Sequence, residues 1–275
     1  MEEKEQKELE LLAAKVRRDV VEMLLHRGYG HLGGSLSIVE VMAVLYGKQL
    51  KHDPKNPKWE DRDRLVLSKG HAGPAWYSVL AERGFFDRDM LFTLNDGGTN
   101  LPSHPDRTKT PGVDMTTGSL GQGCSTAAGI ATALAKKGSD AYTYLIVGDG
   151  ELNEGQCWEA FQYIANYKMD NLIVFIDDNK RQLDGWTKDI MNPFDYVAKM
   201  QSLPQEATII ITLDTFVAIC AGLIIFPSCF AYGVAPGQGP GLIFGTLPRV
   251  FLNMEYGMVR GFIFFLFLSI AALTT

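Results

Sequence analysis

Two apolar runs of strand length flank one helical pattern, and this arrangement fixes more of the fold than any other feature of the chain. TYLIV (143–147) and NLIVFID (171–177) are rich in β-branched and aliphatic residues. Residues 154–168, between them, read as a helix. A strand, a helix and a strand over this length form a βαβ unit, whose two strands run parallel. Helical crossovers of this kind cover the faces of a parallel sheet, so the chain is expected to be of the α/β class.

The rest of the front two hundred residues fits that class. Residues 7–26 predict an amphipathic helix, with Leu9, Leu12, Val16, Val20 and Met23 recurring at helical spacing between charges. Gly28, Gly30, Gly33 and Gly34 then break the chain around His31. A second helical pattern runs from Ser37, read as its N-cap, to about Leu50. After a polar connection, RLVLS (64–68) predicts a strand that delivers Lys69-Gly70-His71 as a loop, and the stretch from Trp76 to Arg83 predicts a helix. Residues 96–117 are rich in Gly, Pro, Thr and Asp without a clear period, and a loop of that length in a compact domain usually serves a function. From Ser119 to Lys137 small residues dominate, as in a tightly packed helix.

Charge and cysteine usage narrow the function classes. The chain has 275 residues and a formal net charge of −6, which excludes a broad electrostatic footprint for nucleic acid. Cys124, Cys157, Cys220 and Cys229 form no CxxC pair, so they read as buried or free thiols in a reducing compartment. The charged start MEEKEQKELE is no secretory signal, and residues 1–200 are expected to be cytoplasmic.

Ligands of open parallel sheets sit beyond the carboxyl ends of the strands. One predicted strand ends in Gly148-Asp149-Gly150-Glu151 and the next in Asp177-Asp178-Asn179. Adjacent parallel strands bring Asp149 and Asn179 side by side despite the 30 positions between them. A carboxylate and an amide oxygen are hard ligands, suited to Mg²⁺ or Ca²⁺, and a metal with few protein ligands completes its shell with phosphate oxygens. Taken singly, Asp149 reads equally as a helix cap and Asn179 as a turn residue. It is the pairing within one βαβ unit that points to a metal.

These residues also carry a resemblance. GDG followed thirty residues later by Asn resembles the thiamine-diphosphate signature, and GDGELNEGQCWEAFQYIANYKMDNLIVFIDDNKRQLDG resembles transketolases along its length. GYGHLGGSLS, DRDRLVLSKGHA, LPSHPD and TTGSLGQG resemble the same family in the same order, over roughly residues 7–200. The form it most resembles is the N-terminal subunit of split, two-chain transketolases. The resemblance implies a parallel-sheet thiamine-diphosphate-binding fold. It further implies metal ligation by Asp149, Asn179 and the backbone carbonyl of Arg181, and cofactor contacts at His71, Gly118, Leu120, Asp149, Gly150 and Asn179. GSLGQG reads physically as a loop opening a helix, with backbone N–H groups available to an anion.

Three of the five histidines, His31, His71 and His104, sit in Gly- or Pro-marked loops. The resemblance makes them active-site groups that bind donor hydroxyls and cofactor and assist proton transfer, a task suited to imidazoles near neutral pH. It implies two-carbon ketol transfer between sugar phosphates. It also implies a partner: in the family the pyrimidine ring is activated by a glutamate from a second domain or C-terminal subunit, so a homo- or hetero-oligomer is expected.

The match stops near NPFDYVAKM, and the composition changes there. Residues 201–275 hold two basic residues (Arg249, Arg260) and three acidic ones (Glu206, Asp214, Glu255). From Leu213 to Val234 lie 22 residues, nearly all apolar or small, and residues 257–275 form a second apolar run. Such lengths predict a membrane-type helical hairpin, with membrane association through 209–275. LPQEATIIITLDTFVAICAGLIIFPSCFAYGVAPGQGPGLIFGTLPRVF and FFLFLSIAALTT resemble the seventh and eighth transmembrane helices of bacterial sodium-dependent neurotransmitter-symporter-type transporters. There a hydroxyl pair at the place of Thr274 and Thr275 contributes to a sodium site, which cannot close without that family's other helices. The sequence thus divides at residue 200 into a thiamine-diphosphate-binding domain and a transporter-like hairpin, a junction that implies a chimaera. Two rival readings follow: a transporter fragment with a non-catalytic passenger, and a cofactor-binding remnant without activity.

Overall fold

The computed structural model describes residues 3–203 and the backbone of 208–212. Four strands, β1 (Arg64–Leu67), β2 (Thr143–Gly148), β3 (Leu172–Asp177) and β6 (Thr208–Thr212), form one parallel sheet in the order β1-β2-β3-β6. Two-residue strands β4 (Arg181–Gln182) and β5 (Gly185–Trp186) form a separate antiparallel ribbon. The expected βαβ unit is present, with α6 (Gly155–Asn166) joining β2 to β3.

The helices cover both faces. α1 (Glu3–Arg27) and α4 (Gly73–Glu82) bury Val16, Val20, Met23, Trp76 and Leu80 on the face that also receives Leu65, Leu67, Tyr144 and Ile146. α5 (Gln122–Lys136) and α6 pack on the other face against Val66, Leu145, Val147, Val174 and Ile176. Alternate residues of β1 and β2 thus face opposite layers, as the period of two requires. Because both faces are covered, β2 is buried at every position, which is why it reads as an unbroken apolar run. Burying a Leu- or Val-sized side chain contributes about 1.5–3 kcal/mol, so these two layers are the main source of stability.

The second helical pattern is not one helix capped by Ser37. It comprises α2 (Leu32–Leu36) and α3 (Val39–Val44), the latter running into a π-turn at Leu45–Gln49. Ile38 occupies the cap position of α3, without a side-chain capping bond. The Ser37 hydroxyl instead donates to Asp177 Oδ2 at 2.6 Å, a partner 140 positions away that wins over the local cap.

At the C-terminal side, α7 (Thr187–Ile190) and α8 (Tyr196–Gln201) follow the ribbon. The expected boundary at residue 200 falls inside α8, and β6 lies beyond it. Residues 209–212 open the stretch read as membrane-associated, yet they pair with β3 as a strand. Ile209, Ile210 and Ile211 are β-branched and favour that state. The hairpin with its two spans, together with Cys220, Cys229, Thr274 and Thr275, lies outside the described residues. Among the described residues no helix is long and apolar enough to cross a membrane.

The small residues of α5 are there for contact. A Cβ on Gly123 would lie 2.5 Å from Ser68 Cα, whereas one on Gly129 would meet nothing within 4 Å. Gly123→Ala should therefore lower stability by about 1–3 kcal/mol, or roughly 2–4 °C of melting temperature per kcal/mol. Gly129→Ala, on the same helix, should raise stability by about 0.5–1 kcal/mol. Thermal melts of the two variants check this, and equal effects would refute the contact.

Candidate functional site

The carboxyl ends of β2 and β3 finish level, with Gly148 opposite Asp177. The Asp149 N–H donates to the Asp177 carbonyl at 3.0 Å, so the two acidic loops meet as the sequence requires. Asp149 stands at the start of a 3₁₀ turn (Gly150–Asn153) but makes no side-chain capping bond, and its Oδ2 instead accepts from Thr187 Oγ1 at 3.3 Å. Asn179 keeps part of its turn character: Oδ1 accepts from the Arg181 N–H at 2.9 Å, and Nδ2 donates to Asp177 Oδ2 at 3.2 Å. One lone pair of Asn179 Oδ1 remains for a further partner. The Arg181 guanidinium lies 3.5 Å over the Trp186 ring, and what that residue offers Asn179 is its backbone.

Three buried carboxylates, Asp149, Asp177 and Asp178, crowd these tips. Lys69, itself 1% exposed, forms an ion pair with Asp177 and donates to Ser37 Oγ at 3.3 Å. Lys180 pairs with Asp178 Oδ2, while Asp178 Oδ1 is buried without a hydrogen-bond partner. Burial first, and the neighbouring Asp178 second, push the Asp149 carboxyl up to about 7. An all-oxygen donor set with an orphaned buried oxygen and excess negative charge fits a hard divalent cation.

A second knot holds the loops around this point. Glu151, 2% exposed, accepts from Ser68 Oγ, from the Gly121 N–H at 2.6 Å and from the Gly148 N–H at 3.2 Å. One carboxylate thereby ties the end of β1, the end of β2 and the loop that opens α5. Burial raises its pKa, and these three donors oppose the rise. The Gly121 amide, one of those expected to meet an external anion, is occupied by this internal one, which suits a helix N-terminus equally well.

Glycine is required where two of the loops cross. A Cβ on Gly70 would stand 2.8 Å from the Gly118 N atom, and Gly118, at φ +153, carries its backbone within 3.2 Å (Cβ position) of His104 Cβ. Gly150 lies next to Gln182, and the Leu120 carbonyl accepts from Gln156 Nε2 at 3.0 Å. The three predicted histidines come together from three loops: the rings of His31 and His71 are 5.2 Å apart and those of His31 and His104 6.5 Å. His31 and His104 are exposed, and His71 lies deeper. Burial, then Lys69, then the other two rings hold His71 down to about 3, while burial and His31 lower His104. His71 and His104 are therefore biased toward the neutral imidazole, which accepts at one ring nitrogen and donates from the other.

Sequence reasoning alone assigns no site role to Ser37, Lys69, Glu151, Asp177 or Asp178. Their signal is an acid or a lysine at a strand tip, or a serine before a helix, which does not reveal that the side chain turns inward. Cys124 and Cys157, 3.5 Å apart, are free and buried as expected.

Residues 9–205 match the family described as the transketolase thiamine diphosphate binding domain. A 6-deoxy-6-sulfo-D-fructose transketolase subunit of Clostridium sp. (strain MSTE9) is 51% identical over 191 residues, covering 70% of this chain and 69% of its own. An apulose-4-phosphate transketolase subunit from Actinobacillus succinogenes is 45% identical over 185 residues, 67% of each chain. Among solved structures, a transketolase variant from Pichia stipitis superposes with a TM-score of 0.67 at 35% identity, covering 72% of this chain and 30% of that one. The transketolase of Campylobacter jejuni gives 0.66 at 30% identity, covering 77% and 38%. The matched part thus spans about two-thirds of the subunit-type relatives and about a third of the solved enzymes.

The depressed His71 makes a pH prediction. Its folded pKa of about 3 lies below the ordinary value of 6.5, so the unfolded chain takes up the proton first as pH falls. Stability from this group is complete above pH about 6.5 and is lost toward pH about 3, with a limiting slope of about 1.4 kcal/mol per pH unit. His71→Gln should remove that slope. Thermal melts from pH 7 to 4 should therefore show wild type losing ground to the variant, and a constant difference would contradict the assignment.

Proposed function

Because the chain belongs to the transketolase thiamine-diphosphate-binding domain family, we propose that its front two hundred residues act as the diphosphate-binding half of a transketolase-type transferase completed by a second polypeptide. The observation that carries this reading is the meeting of the Asp149 and Asp177–Asn179 loops at level strand tips, together with the trio of histidines. Relatives named as transketolase subunits support a two-chain arrangement, in which the partner supplies the glutamate that faces the pyrimidine ring.

In this proposal Asp149, Asn179 and the Arg181 backbone carbonyl would hold Mg²⁺ or Ca²⁺, which would supply positive charge for a diphosphate. Gly118, Leu120 and Gly150 would present backbone to the cofactor, and at the two glycines a side chain would crowd His104 and Gln182. When bound, thiamine diphosphate supplies the electron sink for carbon–carbon bond cleavage. His31, His71 and His104 hydrogen-bond the hydroxyls of the sugar phosphate and move protons on and off them. His71, held neutral, accepts at one ring nitrogen and donates from the other. The substrates are ketose and aldose phosphates, and the names of the two relatives are consistent with a ketose that carries a terminal anionic group.

For residues 202–275 the symporter resemblance stands as a reading of sequence alone, motivated by the apolar run at 213–234. Membrane fractionation tests it: full release of the intact chain without detergent would set it aside. The family match favours the enzyme module over a passenger domain.

Calorimetry of the full chain with thiamine diphosphate and Mg²⁺ tests the binding function. Asp149→Ala should abolish metal-dependent binding of the cofactor. His104→Ala should spare binding and lower turnover by about 100-fold or more in a coupled sugar-phosphate assay with the C-terminal subunit supplied. Unchanged cofactor binding by Asp149→Ala would refute the metal assignment.

A further inference from the structure

The entrance edge of the sheet, away from Asp149 and Asp177, carries a second concave site. A cleft of about 830 Å³ opens beside Arg64, the first residue of β1. Its lining includes Lys58, Arg62, Arg64, Arg107 and Lys109 against one carboxylate, Asp114. This is a concentrated positive patch in a chain whose net charge is −6.

The two central arginines are fixed in place. Arg62 donates to Asp114 Oδ1 through Nη2 at 2.6 Å and Nε at 3.1 Å, and to the Trp59 carbonyl at 2.6 Å. Asp114 Oδ2 in turn accepts from the Leu65 N–H at 2.9 Å. The Arg64 guanidinium is held by the carbonyls of Arg62, Asp63 and Glu60, the last at 2.7 Å. Burial first, and the adjacent Arg62 second, lower the Arg64 pKa, while Asp114, Asp63 and Asp61 oppose the fall. Lys58, Arg107 and Lys109 are exposed, and among the described residues none of them forms an ion pair. The nearby acid, Asp106, accepts from the N–H and hydroxyl of Thr108, at 2.8 and 2.7 Å, which with Lys109 hold its carboxyl below the usual range.

We infer that this cleft is a second anion-binding site, for a phosphorylated small molecule, distinct from the site at the strand tips. Guanidinium forks and ammonium groups together match phosphoryl oxygens. The volume falls in the range of small-molecule pockets and far exceeds a single ion. Pro57, Pro111, Val113, Met115 and Ile130 give the remaining lining an apolar character suited to an organic moiety. A nucleic acid does not fit the overall negative charge. One wall, Arg107–Met115, is part of the chain between His104 and Gly118, so a ligand here would brace the segment that joins those two positions.

Isothermal titration calorimetry of the full chain, without thiamine diphosphate and in the absence of Mg²⁺, tests this with inorganic pyrophosphate as the probe. Saturable binding is expected, weakened at least tenfold in the double variant Arg107→Glu/Lys109→Glu, whose circular dichroism and cofactor binding should match wild type. Asp149→Ala should retain the pyrophosphate binding, which separates this site from the proposed cofactor site. No saturable binding to wild type at millimolar pyrophosphate, or equal affinity in the double variant, would overturn the inference. Inorganic phosphate should bind more weakly than pyrophosphate; equal or tighter binding would assign the cleft to the free ion and overturn the small-molecule reading.

Discussion

The crowding of like charges at the tips of β2 and β3 is the constraint around which the front of this protein is arranged. Parallel pairing sets Gly148 beside Asp177, and the residues that follow bring three carboxylates out of water together. Lys69 answers one of them from β1's loop, and Ser37 joins the same Asp177 oxygen from the turn between α2 and α3. A buried ion pair contributes little net stability by itself, but losing one partner leaves a buried charge and costs about 3–5 kcal/mol. Sheet and α2–α3 turn are therefore locked together at the strand tips.

Glu151 plays the complementary part. It draws the ends of β1 and β2 and the α5 loop onto one carboxylate, so that the loops are held by the protein before any ligand is present. Preorganisation of this kind reduces the ordering cost that binding would otherwise carry. The histidines rest on the same frame: His71 follows Lys69 and Gly70, and His104 is seated against the Gly118 backbone.

Much of this was legible in the sequence, for reasons of pattern. β2 reads as a strand because burial on both faces leaves an unbroken apolar run, β3 because its run is β-branched and aliphatic, and α1 because its apolar positions recur every three or four residues. That the loops after β2 and β3 adjoin, with the Asp149 N–H on the Asp177 carbonyl, followed from topology alone. The failures share a different cause: each depends on a partner far along the chain. Ser37 looks like a cap until Asp177, 140 positions away, claims its hydroxyl. The Gly121 amide looks free until Glu151 folds inward to take it. Local propensity cannot register such competitors, because their advantage exists only once the chain has closed on itself.

The pairing of β6 with β3 also decides where this chain can be cut. Its register, from Ile173 with Thr208 to Asp177 with Thr212, supplies hydrogen bonds along nearly the whole outer side of β3. A version ending at Met200 would leave that row of amides and carbonyls open, an exposed template for a second copy to add onto. Recombinant forms that stop at the apparent composition break would then self-associate through a raw sheet edge, and those carried through Thr212 would keep it covered.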